Sequence, residues 1–81
     1  MAKTATAAAL PSPKQLGSAL RELRTQRQLS QPKLAERAKI SMFTLCRIEK
    51  ATQRADLETL RRLCAAMGVT VTQLLQKAEQ I

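Results

Sequence analysis

The chain has 81 residues, with 14 lysines and arginines against six acidic side chains, a formal net charge of +8 and a single aromatic residue, Phe43. That length bounds it to one small domain with a modest aliphatic core and leaves little room for a catalytic domain beside it. The charge predicts a polyanionic partner, whether DNA, RNA or an acidic membrane, but the apolar stretches are too short to span a bilayer, and a helix lying on one would want exposed Trp or Phe that this chain almost lacks.

Residues 1–11, opening MAKTATAAAL, read as a flexible N-terminal tail ahead of a domain over 12–81. The apolar run is short, and a lone Lys3 makes a poor charged region for a targeting segment. Ser12 with Gln15 three residues on forms a capping-box pattern, and Pro13 stands where a first helical residue should. Leu16, Leu20 and Leu23 then make a stripe with Ala19 beside it, while Lys14, Arg21 and Arg27 face elsewhere; this first helix is expected to end near Gln28. Ser30 caps a second helix, Pro32 is tolerated in its first turn, and Leu34, Ala35 and Ala38 share its inner face. Lys39-Ile40 leaves room only for a tight turn before Ser41, the N-cap of a third helix whose inner residues are Leu45 and Ile48. Two helices joined so closely must cross steeply, which is the helix-turn-helix arrangement.

A polar loop over residues 51–55 follows. Asp56 caps a fourth helix, with Glu58 favourably placed in its first turn and Leu57, Leu60, Leu63, Cys64 and Met67 expected on its inner face. Gly68 suits a left-handed helix stop. Thr70 and Gln73 make a second capping box, and a fifth helix carrying Val71, Leu74, Leu75 and Ala78 runs to about Glu79. Abundant helix formers and no hairpin turn signals make the expected fold all-α, with five helices.

The residue inventory also limits the chemistry. With no histidine and only Cys46 and Cys64, no zinc site is expected, and no other metal or cofactor. No nucleophile stands beside a base and too few carboxylates converge, so an enzyme is not expected. Cys64 shares a face with Leu60 and Met67 and reads as a core residue. Cys46 lies beside Arg47 and within a turn of Lys50, where positive charge favours a thiolate, although an ordinary reduced thiol is the expectation. Basic side chains crowd the first part of the chain: residues 1 to 50 hold ten, against three acidic ones.

The run Ser30-Gln31, Leu34-Ala35, Ile40-Ser41, Leu45 and Ile48-Glu49 resembles the phage repressor and Cro-like (XRE-type) helix-turn-helix family. The likeness extends upstream through Leu20-Arg21-Glu22-Leu23-Arg24 and downstream through Leu57-Glu58-Thr59-Leu60 and Met67-Gly68-Val69, roughly Gln15 to Leu75. It implies a five-helix repressor-like domain with the helix-turn-helix formed by helices 2 and 3. The function implied is a sequence-specific DNA-binding transcriptional regulator, a homodimeric repressor of its own or neighbouring genes. Its place would be the cytoplasm and nucleoid of a bacterium or phage host, on a two-fold operator and not at a membrane.

By the same resemblance, Gln31 grips a phosphate and buttresses the third helix. Lys50, Thr52 and Arg54 contact phosphates across the groove. Met42, Phe43, Cys46 and Arg47 point outward, with Ser41 and Thr44 nearer the DNA backbone. Arg47 is the expected guanine reader, a phosphate contact being its close alternative. Arg24 is expected to pair with Glu49, and Val71, Leu75, Ala78 and Ile81 to form the dimer surface. An N-terminal arm along the DNA, as some members have, would carry Lys3 as its one charge.

Three departures from the family pattern stand out. Met42 and Phe43 are apolar where most members are polar; they would meet thymine methyl groups, form a protein-binding patch or be partly buried. Lys39 and Ala51 stand where glycine is usual, at a cost of about 1–2 kcal/mol for each left-handed residue. Two alternative functions follow. The start Ser12-Pro13-Lys14-Gln15-Leu16 resembles antitoxins of the HipB kind, which bind their operator and neutralise a toxin partner, though the strand expected after helix five has no counterpart before Ile81. The other alternative is a protein-interaction module without specific DNA reading, with Met42 and Phe43 as its partner site; a weak salt dependence would distinguish it.

Overall fold

A computed structural model of the chain describes residues 10–81, so the expectations for residues 1–9, the Lys3 arm among them, lie outside the described residues. Five helices follow in order: α1 (Pro13–Gln26), α2 (Gln31–Ala38), α3 (Met42–Glu49), α4 (Leu57–Met67) and α5 (Val71–Glu79).

Each helix begins on a side chain that takes up an orphan backbone N–H. Ser12 and Thr70 form full capping boxes with Gln15 and Gln73. Ser30 accepts from the Lys33 N–H, Ser41 from the Thr44 N–H and Asp56 from the Thr59 N–H.

The helix ends share a second device. Gln28, Lys39, Ala51 and Gly68 all adopt positive φ, at 57°, 60°, 62° and 74°. The residue after each donates its N–H back to the carbonyl that closes the helix: Leu29 to Arg24, Ile40 to Ala35, Thr52 to Arg47 and Val69 to Cys64, at 2.9–3.0 Å. These are left-handed helix stops, and three of the four are built without glycine. The left-handed turn at Gln28 stops α1 at Gln26, short of the expected end near Gln28. Arg27 reinforces another helix end, its Nε donating to the Met67 carbonyl of α4 at 2.6 Å.

Helix α1 packs on α3 and α5, α2 on α3 and α4, and α4 on α5. The inner stripes meet in one aliphatic core in which Ala19, Leu20, Leu34, Leu45, Leu63, Leu74 and Ala78 are wholly buried. Three expectations change. Leu57, assigned to the inner face of α4, is 71% exposed, because the buried stripe starts one turn later at Leu60. Pro11, assigned to the tail, is buried, so the packed domain begins ahead of Ser12. Ala78, assigned to a dimer surface, is consumed by the protein's own core and has no surface left to offer a partner.

One contact sets the distance between α1 and α3. A Cβ on Gly17 would fall 2.6 Å from the Glu49 carbonyl oxygen and 2.7 Å from that of Ile48. The backbone of α3 therefore lies directly on α1 at a point where only glycine fits.

Candidate nucleic-acid interface

Helix α3 is held at both ends of its inner side. Leu45 and Ile48 enter the core, and Glu49 is gripped from two directions. Arg24 Nε donates to Glu49 Oε2 at 2.7 Å and Arg24 Nη2 to Oε1 at 3.1 Å, a two-point geometry that fixes orientation as well as distance. Gln31 Nε2, from the first residue of α2, donates to the same Oε1 at 2.9 Å. Arg24 Nη1 also donates to the Leu29 carbonyl at 2.9 Å, joining the loop before α2 to the same network. Helices α1, α2 and α3 thus meet on one carboxylate. Gln31 thereby ties the start of α2 to the end of α3.

The opposite face of α3 is open. Met42 is 49% exposed, Phe43 is 67% exposed, and Arg47 is also exposed. The Arg47 guanidinium lies over the Phe43 ring, 5.1 Å from its centroid. Ser41 and Thr44 are engaged with each other at the start of the helix: Ser41 Oγ accepts the Thr44 N–H at 2.9 Å and donates to Thr44 Oγ1 at 2.8 Å. Thr52 Oγ1 donates to the Arg47 carbonyl at 3.2 Å, tying the loop back onto the end of α3.

An open groove runs beside α3, lined by Arg21, Arg24, Ser30, Gln31, Pro32, Cys46, Glu49 and Lys50. It brings together Gln31, half-buried Cys46 and Lys50, which the sequence reading assigns to separate parts of the interface. It also contains Arg21, which the sequence reading placed elsewhere. The signal was available, because Arg21 precedes Arg24 by three residues and so shares its face of α1. Arg54 lies apart: it lines a separate apolar groove with Leu10, Pro11, Leu16, Ile48 and Leu60.

Some of the basic side chains are neutralised within the domain. In α4, Arg61 and Arg62 both bond Glu58, at 2.7 and 3.1 Å, and these bonds hold the Glu58 carboxyl down at about 2. Arg21, Arg47 and Lys50 have no carboxylate partner among the described residues. Lys14, Arg27, Arg37, Lys39 and Arg54 also lack one, but Arg21, Arg47 and Lys50 lie beside α3, where an anion could be met by several of them at once. Among the described residues no three His, Cys, Asp or Glu side chains come together to hold a metal ion, and no helix is long and apolar enough to cross a membrane.

Comparison with known proteins agrees with this architecture. A family model described as a helix-turn-helix domain matches residues 15–76. The cryptic phage CTXphi transcriptional repressor RstR of Vibrio cholerae is 34% identical over 62 residues, which is 76% of this chain and 56% of that protein. The HTH-type transcriptional regulator DdrOP3 of Deinococcus deserti is 40% identical over 60 residues, 74% of this chain and 46% of that protein. The chain thus spans about half the length of the curated relatives it matches. The crystal structure of the clp gene regulator ClgR from Corynebacterium glutamicum superposes with a TM-score of 0.82 at 29% identity, covering 84% of this chain and 72% of that one.

Proposed function

The chain belongs to the XRE-type family of helix-turn-helix transcriptional regulators, a family of regulatory rather than catalytic domains, and from that premise we propose that it is a dimeric repressor that reads operator DNA with α3. The observation that carries the reading is the two-sided character of α3. Its inner side is locked by Leu45, Ile48 and the Arg24–Glu49–Gln31 network, while Phe43 and Arg47 stand free on the outer side. A helix so presented fits the major groove, and the unpaired cations beside it meet the phosphates.

In this reading Arg47 is the direct base reader, since a guanidinium can bond both O6 and N7 of guanine. Met42, Phe43 and Cys46 complete the surface facing the bases. Ser41, Thr44 and the backbone near Gln31 approach one phosphate strand, with Arg21 added. Lys50, in the same groove as Arg21 and Gln31, and Thr52 approach a phosphate at the end of α3, while Arg54, which lies apart, is left without a DNA contact.

One α3 covers too few base pairs for useful specificity, so two copies bind half-sites about one helical turn, ~34 Å, apart. The dimer surface is the outer side of α5, where Val71 and Leu75 are half-buried and Ile81 is 47% exposed. Ala78 takes no part.

The test is a gel shift on the DNA immediately upstream of the protein's own gene, at two salt concentrations. The expected result is preference for that DNA over a scrambled duplex, with affinity falling steeply as salt rises, at a slope near −0.9 per phosphate neutralised. Equal affinity for both duplexes would contradict the reading.

A further inference from the structure

We propose that Phe43 and Arg47 act as one reading unit for a guanine whose neighbouring pyrimidine carries a 5-methyl group, thymine or 5-methylcytosine. The proposal rests on α3 facing DNA, and it names the step in the operator that this particular helix prefers.

Phe43 occupies the centre of the outer face. With about 3.6 residues per turn, it falls opposite the direction shared by buried Leu45 and Ile48. It is the chain's one aromatic residue, and it is 67% exposed at the place that points furthest from the core. An aromatic ring held in water there, beyond its contact with Arg47, gains by meeting an apolar group. Met42 beside it, 49% exposed, extends the same apolar surface.

Arg47 stands one turn later and rests its guanidinium over the ring, at 5.1 Å from the centroid. The attraction is to the cation as a whole and uses up none of the five N–H donors of the guanidinium. None of them is engaged by a side-chain hydrogen bond or ion pair among the described residues. The ring therefore limits where Arg47 can point without consuming its hydrogen-bonding capacity. No carboxylate competes for it among the described residues.

The major groove offers matching chemistry. Its one apolar feature on the bases is the thymine C5-methyl, and its paired acceptors are O6 and N7 of guanine. Successive bases rise by about 3.4 Å along a strand. Two groups 5.1 Å apart are close enough to address neighbouring base pairs, and in this proposal they do so. With the guanidinium on guanine, the ring and Met42 lie against the next pyrimidine at its C5 edge. 5-Methylcytosine places the same methyl at the same edge; uracil and cytosine leave it bare. Phe43 is thus both the methyl contact and the positioning residue for Arg47.

The experiment starts from the duplex that wild-type protein enriches out of a random pool. At the thymine beside the contacted guanine, three further duplexes carry uracil, cytosine or 5-methylcytosine, the last two with their complementary guanine. Wild-type binding should weaken about fourfold per half-site on uracil, the factor for exposing one methyl-sized apolar group. 5-Methylcytosine should be preferred to cytosine by the same factor. Phe43→Ala, a change at an exposed site, should erase both preferences, and Phe43→Leu should keep the methyl preference while lowering the discrimination for guanine. Uracil that costs nothing beside the contacted guanine, or costs as much in Phe43→Ala as in wild type, would overturn the proposal and leave DNA reading intact. Enrichment of no sequence at all would overturn both.

Discussion

Arg24 and Glu49 lie 25 positions apart in the chain and meet through two hydrogen bonds, with their side chains only 11% and 4% exposed. The pair joins the first helix to the end of the third, and Gln31 of the second helix joins it. A charge pair this secluded adds little net stability when intact, but losing one partner strands the other in a poor solvent. Arg24→Ala is therefore expected to cost ~3–5 kcal/mol in urea unfolding, and Arg24→Met with Glu49→Met together much less than the sum of the single changes. Additive costs in that cycle would show two independent surface charges instead.

Gly17→Ala tests the crossing of α1 and α3. In an isolated helix the change would help by about 1 kcal/mol. Here the new methyl would stand 2.6 Å from a backbone oxygen of Glu49, and a backbone cannot step aside as a side-chain end can. A net loss of ~1–3 kcal/mol is expected from overpacking, read as a lower urea midpoint. A gain in stability would mean that the two helices are not in contact there.

Lys39→Gly and Ala51→Gly should act in the opposite direction. Both residues hold left-handed backbone, at φ 60° and 62°, which costs a non-glycine residue about 1–2 kcal/mol. Glycine removes that strain but makes the unfolded chain more flexible, which offsets about 0.4–1 kcal/mol. Each change is expected to raise the midpoint by a net gain on the order of 0.5–1 kcal/mol, with the two gains adding. Exposed Gln28, at φ 57°, is the control position where the same reasoning predicts the same sign.

The two thiols should separate in reactivity. Cys64 is 2% exposed, and burial pushes its thiol up, so little thiolate forms. Cys46 is half-buried on the groove beside α3. A thiol reagent should modify Cys46 in the native protein and Cys64 only on unfolding. Bound DNA should slow the first reaction, and a bulky adduct on Cys46 should weaken DNA binding. Equal native rates would contradict the placement of these residues.

Much of this fold is legible in the sequence because its signals are local. The N-caps Ser12, Ser30, Ser41, Asp56 and Thr70 each sit three residues before the N–H they bind, within the reach of a pattern. The Arg24–Glu49 contact was accessible only through the family resemblance, since nothing local to either residue points to the other. Leu57 and Ala78 were misplaced because periodicity assigns a face but not where along the helix the core begins, nor how much of that face is already used. The role of Gly17 depends on the path of a helix more than 30 positions away, and no spacing near Gly17 reports it. Arg21, by contrast, could have been found from its spacing to Arg24.

In the proposed function α3 reads sequence through Arg47. The most direct measurement is the ratio of affinities for the upstream operator duplex and for a scrambled duplex of equal length, in wild type and in Arg47→Ala at one salt concentration. Arg47 is exposed and outside the core, so the variant should fold normally. A loss of ~1–3 kcal/mol on the operator, with much less on the scrambled duplex, is the predicted result. An equal loss on both would make Arg47 a phosphate contact, and no loss on either would contradict the assignment of α3 as the reading helix.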